Sequence, residues 1–180
     1  MIDYFEKYSE QLLFKSKMSF VVALDEMRVA KFGSYERLKE EAKKMSFANK
    51  INDLVVKFFE IKKNIDGSYC IVMERLFSLH YSSIDLKTKQ KFCTEFDGKL
   101  RELHRAGFIH GDISFNNNPN YILTNTGIRL IDTGMSILNN DIDNIVFNNL
   151  KKQEVDKIEQ VKEIILNICF NKKVDAEKPI

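Results

Sequence analysis

Residues 107–123 read GFIHGDISFNNNPNYIL, a run that gathers His110, Asp112 and four asparagines behind an apolar lead-in. Two readings compete for so many short polar side chains. One is a wet, irregular loop whose asparagines take left-handed positions. The other is a loop that holds a carboxylate and a carboxamide at a fixed separation for chemistry. The flanks favour the second. Upstream, Phe92, Phe96, Leu100 and Leu103 recur at spacings of four, four and three, the signature of an amphipathic helix from about Leu86, and Gly107 ends it. Downstream, YILT and IRLID flank NTG, a short hairpin. Asp132 closes the second of these strands. A carboxylate after Ile-Arg-Leu-Ile is costly to bury unless a cation or hydrogen-bond donors await it.

The N-terminal part has a different texture. QLLFKS and SFVVAL predict two strands, and Asp25-Glu26 turns the chain into a third, MRVAKF, which carries Lys31. Gly33-Ser34 breaks the pattern, with Ser34 as N-cap and Glu36 in the first turn of a helix running to about Ala48. LVVKFFEIKK and SYCIVMERL then predict a hairpin around NIDG. This yields five strands and one helix, followed by a mainly helical part, with the boundary near Met73 to Ser78: residues 1–76 and residues 77–180. The first ten residues read as a short helix. After IDTG the chain reads as polar and irregular to about Asn149. A last helix is expected over roughly Gln153 to Phe170, with Val155, Ile158, Val161, Ile165 and Ile168 on one face.

Bulk properties exclude several classes. The chain has 180 residues, enough for one domain or two small lobes around a cleft, and its net charge of +2 gives no general case for nucleic acid. Cys70, Cys93 and Cys169 are an odd number without metal-type spacing, which suits free thiols in a reducing, cytoplasmic setting. The N-terminus is acidic and polar, unlike a signal or transit peptide, and no apolar run approaches membrane-spanning length.

Helix periodicity singles out one glutamate. Tyr35, Leu38, Ala42 and Met45 form the apolar face of the first long helix, and at 100° per residue only Glu41 falls at the edge of that stripe, while Glu36 and Glu40 point away. Lys31, Glu41, Asp112, an asparagine and Asp132 are the groups that phosphoryl transfer from ATP requires. A carboxylate accepts or orients the proton of the nucleophile. A carboxamide and a second carboxylate suit magnesium, which prefers oxygen ligands. A lysine neutralises the non-transferred phosphates, and a glutamate holds that lysine.

In this order the set resembles the protein-kinase-like superfamily, whose signatures are V-A-I-K, a helix glutamate, H-R-D-x-x-x-x-N and D-F-G. The chain offers Arg28-Val29-Ala30-Lys31, Glu41, His110-Gly111-Asp112 with Asn117, and Asp132-Thr133-Gly134. IVMERL resembles the hinge strand. The resemblance implies that Met73 is the gatekeeper and that Glu74 to Leu76 present backbone groups to adenine. It spans about residues 11–135. The implied fold is α+β and bilobal: a five-stranded antiparallel sheet with one helix, then a short helical lobe. The implied cofactors are ATP and Mg2+. Asp112 would position the acceptor hydroxyl, Asn117 and Asp132 would hold magnesium, and Lys31 would meet the phosphates, held by Glu41.

Departures from the pattern are as informative. No glycine precedes Gly33, so the phosphate-loop turn is FKSKMS, with Ser16 and Ser19 in glycine positions and Lys17 adding charge. HGD replaces HRD, and Gly111 cannot pair with a phosphorylated segment; the same HGD resembles RIO-type and Bud32-type kinases, aminoglycoside phosphotransferases and lipopolysaccharide heptose kinases. Ser114 stands where Ser/Thr kinases usually carry lysine. The five-residue spacing selects Asn117, but Asn120-Tyr121-Ile122-Leu123 also resembles the asparagine-hydrophobic-hydrophobic signature, so an insertion of three residues would make Asn120 the ligand. Thr133 replaces the Phe of D-F-G and cannot supply its apolar plug. No A-P-E follows, and the short remainder implies either a partner protein that completes the second lobe or a small acceptor. The expected activity is transfer of the γ-phosphoryl group to a hydroxyl, foremost on protein Ser or Thr. The alternatives are a small-molecule or glycan kinase and a non-catalytic pseudokinase.

Overall fold

A computed structural model describes residues 11–16, 19–113 and 119–168. The expected N-terminal helix and the end of the last helix lie outside them. The first three strands, β1 (Leu12–Lys15), β2 (Phe20–Ala23) and β3 (Arg28–Gly33), form an antiparallel meander. Helix α1 (Tyr35–Asn49) follows, then β4 (Phe58–Lys63) and β5 (Tyr69–Glu74). The sheet order is β1-β2-β3-β5-β4, so β5 lies against β3 with Lys31 opposite Ile71. Ser34 does occupy the N-cap of α1, although its side chain makes no capping bond. Leu38, Ala42, Met45 and Ala48 face the core, as the apolar spacing requires.

β4 begins four residues later than the sequence suggests. Leu54 to Val56 are apolar because they are buried, not because they form a strand of the sheet. Leu130 donates to the Leu54 carbonyl (2.8 Å) and Val56 donates to the Leu130 carbonyl (2.8 Å), which fastens the segment after α1 to the second half of the chain. A continuous apolar run cannot by itself distinguish these cases.

The second half is built on α2 (Leu86–Arg105), capped by Asp85, whose carboxylate accepts from Thr88 N at 2.9 Å. Phe92, Phe96, Leu100 and Leu103 all point inward. Gly107, at φ 90°, turns the chain into β6 (Phe108–Ile109), which pairs with β9 (Ile137–Leu138). β7 (Tyr121–Thr124) and β8 (Gly127–Leu130) form the expected hairpin. Helix α3 (Asn144–Asn167) starts nine residues before the sequence suggests, because Asp143 caps it through Ile145 N and Val146 N and Phe147 anchors its first turns. Its buried face is Phe147, Glu154, Ile158, Val161 and Ile165, so Glu154 takes the inward place expected for Val155. One hydrophobic core runs from α1 through the β7–β8 hairpin to α2 and α3. Among the described residues, no helix is long and apolar enough to cross a membrane.

Candidate active site

Lys31 sits on β3, a strand buried on both faces at that point, and its side chain has one way out, toward α1. Its Nζ donates to Glu41 Oε1 at 2.7 Å and to Asp132 Oδ1 at 3.0 Å. Lysine and glutamate are only 8% and 5% exposed, so neither charge is left to water. Burial alone would lower the lysine, but Glu41 and Asp132 together outweigh it and hold the ammonium above the ordinary lysine range. Burial raises the Glu41 carboxyl, with Lys31 opposing. Asp132 feels burial upward, yet the Lys31 ammonium and the Gly134 N–H hold it below the usual carboxylate range. Lys31, Glu41 and Asp132, which are distant in sequence, thus form one network. Asp132 reaches it from a left-handed conformation, φ 57° and ψ 76°.

These three residues line a cavity of about 370 Å³ between the sheet and the β7–β8 hairpin. Val21 and Val29 face it from the sheet, Leu123 and Ile131 from the hairpin, and Met73, Glu74 and Leu76 from the end of β5 and beyond. The Glu74 side chain is turned to Arg129, whose Nη2 donates to it at 2.7 Å, and its backbone N–H donates to the Lys57 carbonyl at 2.9 Å. Tyr81 and Tyr121 also reach the cavity. Their lining role has no motif that a sequence could announce.

The phosphate-loop turn differs from the expected cradle. Ser16 N donates to the Ser19 carbonyl (2.8 Å), and Ser19 N donates to Ser16 Oγ (3.1 Å). The Ser16 and Ser19 amides are therefore spent within the turn. Ser19 lines the cavity, whereas Ser16 does not border it. Lys17 lies outside the described residues.

Asn117 also lies outside the described residues. Asn120 does not: its Nδ2 donates to the Asp112 carbonyl at 2.9 Å and to Asp112 Oδ2 at 2.8 Å, and the residue borders the cavity. With Nδ2 committed, Oδ1 is the free end of the carboxamide, a hard oxygen of the kind magnesium takes. Asp132 adds carboxylate oxygen on the same cavity. This donor set fits magnesium held with a nucleotide. Among the described residues, no group of three or more His, Cys, Asp or Glu forms a self-sufficient metal site.

Sequence reasoning missed what holds the Asp112 loop. Glu154 of α3, only 3% exposed, accepts from Gly111 N at 2.7 Å, His110 N at 3.3 Å and His104 Nε2 at 2.7 Å. Burial would raise this carboxyl, but the His104 bond, the nearby His110 and the Gly111 amide hold it below its ordinary value. Two of the three partners of Glu154 are backbone amides, which carry no side-chain signature. His110 is fully buried, and burial lowers its pKa; its Nε2–H donates to the Ile131 carbonyl at 2.9 Å, which ties the loop to the strand before Asp132. Gly111 has φ 83°, and a Cβ there would lie 2.5 Å from the Met135 carbonyl oxygen. The backbone of the Asp132–Ser136 turn occupies the place of any larger side chain.

No protein-family model matches the chain. Among characterised proteins it is 29% identical over 121 residues to the probable serine/threonine-protein kinase BUD32 homolog of Archaeoglobus fulgidus, a match covering 64% of this chain and 56% of that protein. The chain thus spans little more than half the length of that relative. Two solved structures are similar in architecture. The PK-1 kinase of Cydia pomonella granulovirus superposes with a TM-score of 0.59 at 13% identity, over 92% of this chain and 72% of the other. The Lpg2603 kinase of Legionella pneumophila, solved bound to IP6, superposes with a TM-score of 0.60 at 19% identity, over 87% and 59%. A five-stranded sheet with α1 beside it, joined to a helical half through the strand that ends at Glu74, places this chain among the protein-kinase-like folds.

Proposed function

We propose that the chain is an ATP- and magnesium-dependent phosphotransferase that moves the γ-phosphoryl group to a hydroxyl. The observation that carries this reading is the junction of Lys31 with Glu41 and Asp132 on a cavity also bordered by Asn120, itself bonded to Asp112. A purely structural ion pair has no need of a cavity beside it, and buried charge without a task is costly. In this reading the purine lies between Val21 and Val29 on one side and Leu123 and Ile131 on the other, with the backbone of Glu74 to Leu76 at its edge. Lys31 orients the α- and β-phosphates, and Glu41 keeps the ammonium in place. Magnesium, when bound with the nucleotide, supplies charge neutralisation at the phosphates; Asp132 and the Asn120 carboxamide oxygen would hold it. Asn117 is the alternative carboxamide from the loop. Ser19 stands at the phosphate end, with Ser16 supporting the turn.

In this reading Asp112 accepts the hydrogen bond of the acceptor hydroxyl. As the acceptor oxygen bonds to the γ-phosphorus, the bond from phosphorus to the β,γ-bridging oxygen breaks, ADP leaves and the hydroxyl proton passes toward Asp112. Positioning and electrostatics dominate such a reaction. Protein Ser or Thr is the preferred acceptor, in line with the name given to the archaeal relative. A small polyhydroxyl acceptor is the second reading. It is favoured by Gly111, whose crowded surroundings exclude the arginine that protein kinases use to read a phosphorylated segment.

The test is incubation with γ-labelled ATP and magnesium, with and without a generic protein acceptor, beside Asp112→Ala. Label in protein that is lost in the variant supports the first acceptor class. Nucleotide-dependent thermal stabilisation with label only in small products supports the second. Neither label nor stabilisation would leave a non-catalytic scaffold and refute the proposal.

A further inference from the structure

Thr133 stands where the family carries phenylalanine, and the reaction just described gives it no task. In the structure it is fully buried, and its Oγ1 donates to the Glu41 backbone carbonyl at 3.2 Å. One turn further along α1, Lys44 Nζ donates to the Gly134 carbonyl at 3.0 Å. The Asp132–Gly134 turn is therefore tethered to α1 at two points, both beside the glutamate that holds Lys31. Immediately before the two tethered residues stands Asp132, the only non-glycine residue with positive φ among those described. That conformation is unfavourable for most L-residues and persists only where the surroundings impose it.

A buried threonine hydroxyl bonded to a helix carbonyl often does no more than satisfy a polar group. Three features set this one apart. The carbonyl belongs to Glu41 itself. The next residue back, Asp132, bonds the same lysine as Glu41. The adjoining residue carries the second tether. Movement of α1 away from the sheet would pull the Asp132 turn with it, and rotation of the turn would break contacts to α1.

We propose that Thr133 is a positioning residue: its hydroxyl joins α1 to the Asp132 turn, so that the lysine–glutamate pair and the metal-facing carboxylate are set as a single unit. A hydrogen bond thus does here what apolar packing of a larger side chain would do elsewhere, and the unit is set without modification of the segment. The consequence for nucleotide and magnesium rests on the phosphotransferase reading; the mechanical joining does not.

Hydrogen–deuterium exchange on the full chain separates the two. Thr133→Val keeps the shape and removes the donor. It is expected to raise local opening in residues 132–136 and in α1 together, roughly two- to tenfold, the factor carried by one neutral hydrogen bond. Thr133→Ser keeps the donor and is expected to match the wild type. Lys44→Met, at the half-buried outer tether, is expected to loosen the same two segments without opening the core, and it decides the matter alone should Thr133→Val not fold. In calorimetric titration, the magnesium concentration for half-maximal ATP binding is expected to rise by the same two- to tenfold in Thr133→Val. Unchanged exchange in Thr133→Val and Lys44→Met, or a Thr133→Ser as loose as the valine variant, overturns the proposal. A wild type that binds no nucleotide would sink the phosphotransferase reading instead, with the exchange comparison still deciding the joining.

Discussion

Replacing Glu154 by alanine is the perturbation whose size the structure fixes best. The carboxylate is 3% exposed and accepts three hydrogen bonds, from Gly111 N, His110 N and His104 Nε2. Bonds to a charged acceptor contribute about 1.5–3 kcal/mol each, and a buried donor left unpaired costs about 1–3 kcal/mol. The three share one acceptor, so their losses do not add in full; a destabilisation of about 3–5 kcal/mol is expected. For a domain of this size that lowers Tm by roughly 10 °C. Glu154→Gln keeps one carbonyl acceptor and should lose about 1–3 kcal/mol. The acid limb gives a second reading of the same contact. The folded-state pKa of Glu154 lies below its ordinary 4.5, so its contribution is complete above that value and is lost as pH falls through the lower folded value. Glu154→Gln should flatten stability against pH in that acid window. Thermal unfolding between pH 3 and 7 (about that range, spanning the carboxylate values) measures both. An alanine variant melting within about 2 °C of wild type, with an unchanged acid limb, would refute the idea that this carboxylate holds the Asp112 loop.

Other outcomes follow from the same contacts. Lys31→Met should cut label transfer by about 10²–10³-fold, the usual effect of removing one preorganised charge, while circular dichroism stays that of the wild type. Asn120→Ala should abolish transfer where Asn117→Ala retains most of it, a pair of assays that chooses between the two carboxamides. Gly111→Ala meets both φ 83° and the Met135 carbonyl, so denaturant unfolding should show a loss of about 1–3 kcal/mol. Arg129→Met removes the 2.7 Å bond to Glu74 at the end of β5 and should cost about 1–2 kcal/mol in the same assay, because Glu74 keeps partial access to water.

Much of the site was legible because its residues obey local rules. Glu41 could be chosen from three glutamates by helix phase alone, and it is the one buried and bonded to Lys31. Asp132 betrayed itself as a carboxylate at the end of an apolar strand. The five strands and the β7–β8 hairpin followed from turn chemistry. What remained hidden depends on contacts distant in sequence. Leu54 to Val56 look like a strand and are instead pinned to Leu130. The first turns of α3 are rich in asparagine, and only the Asp143 cap with the burial of Phe147 makes them helical. Glu154 occupies a core position on an otherwise apolar face, where a charge reads as an interruption until its amide partners are known. Asn117 and Asn120 differ only by an inserted stretch, which spacing alone cannot resolve.

Among the described residues, backbone joins the sheet and the helical half at two places, the bonds between Leu54, Val56 and Leu130 and the passage of the chain from β5 through Leu76, while the side chains of Lys31, Thr133 and Lys44 span the cleft between them. A body attached at a single point can tilt in any direction. Attached at two, it swings about the line joining them, as a door does on a pair of pins. An opening of the cleft would turn about those two backbone joins and would have to release the Lys31, Thr133 and Lys44 contacts that latch it.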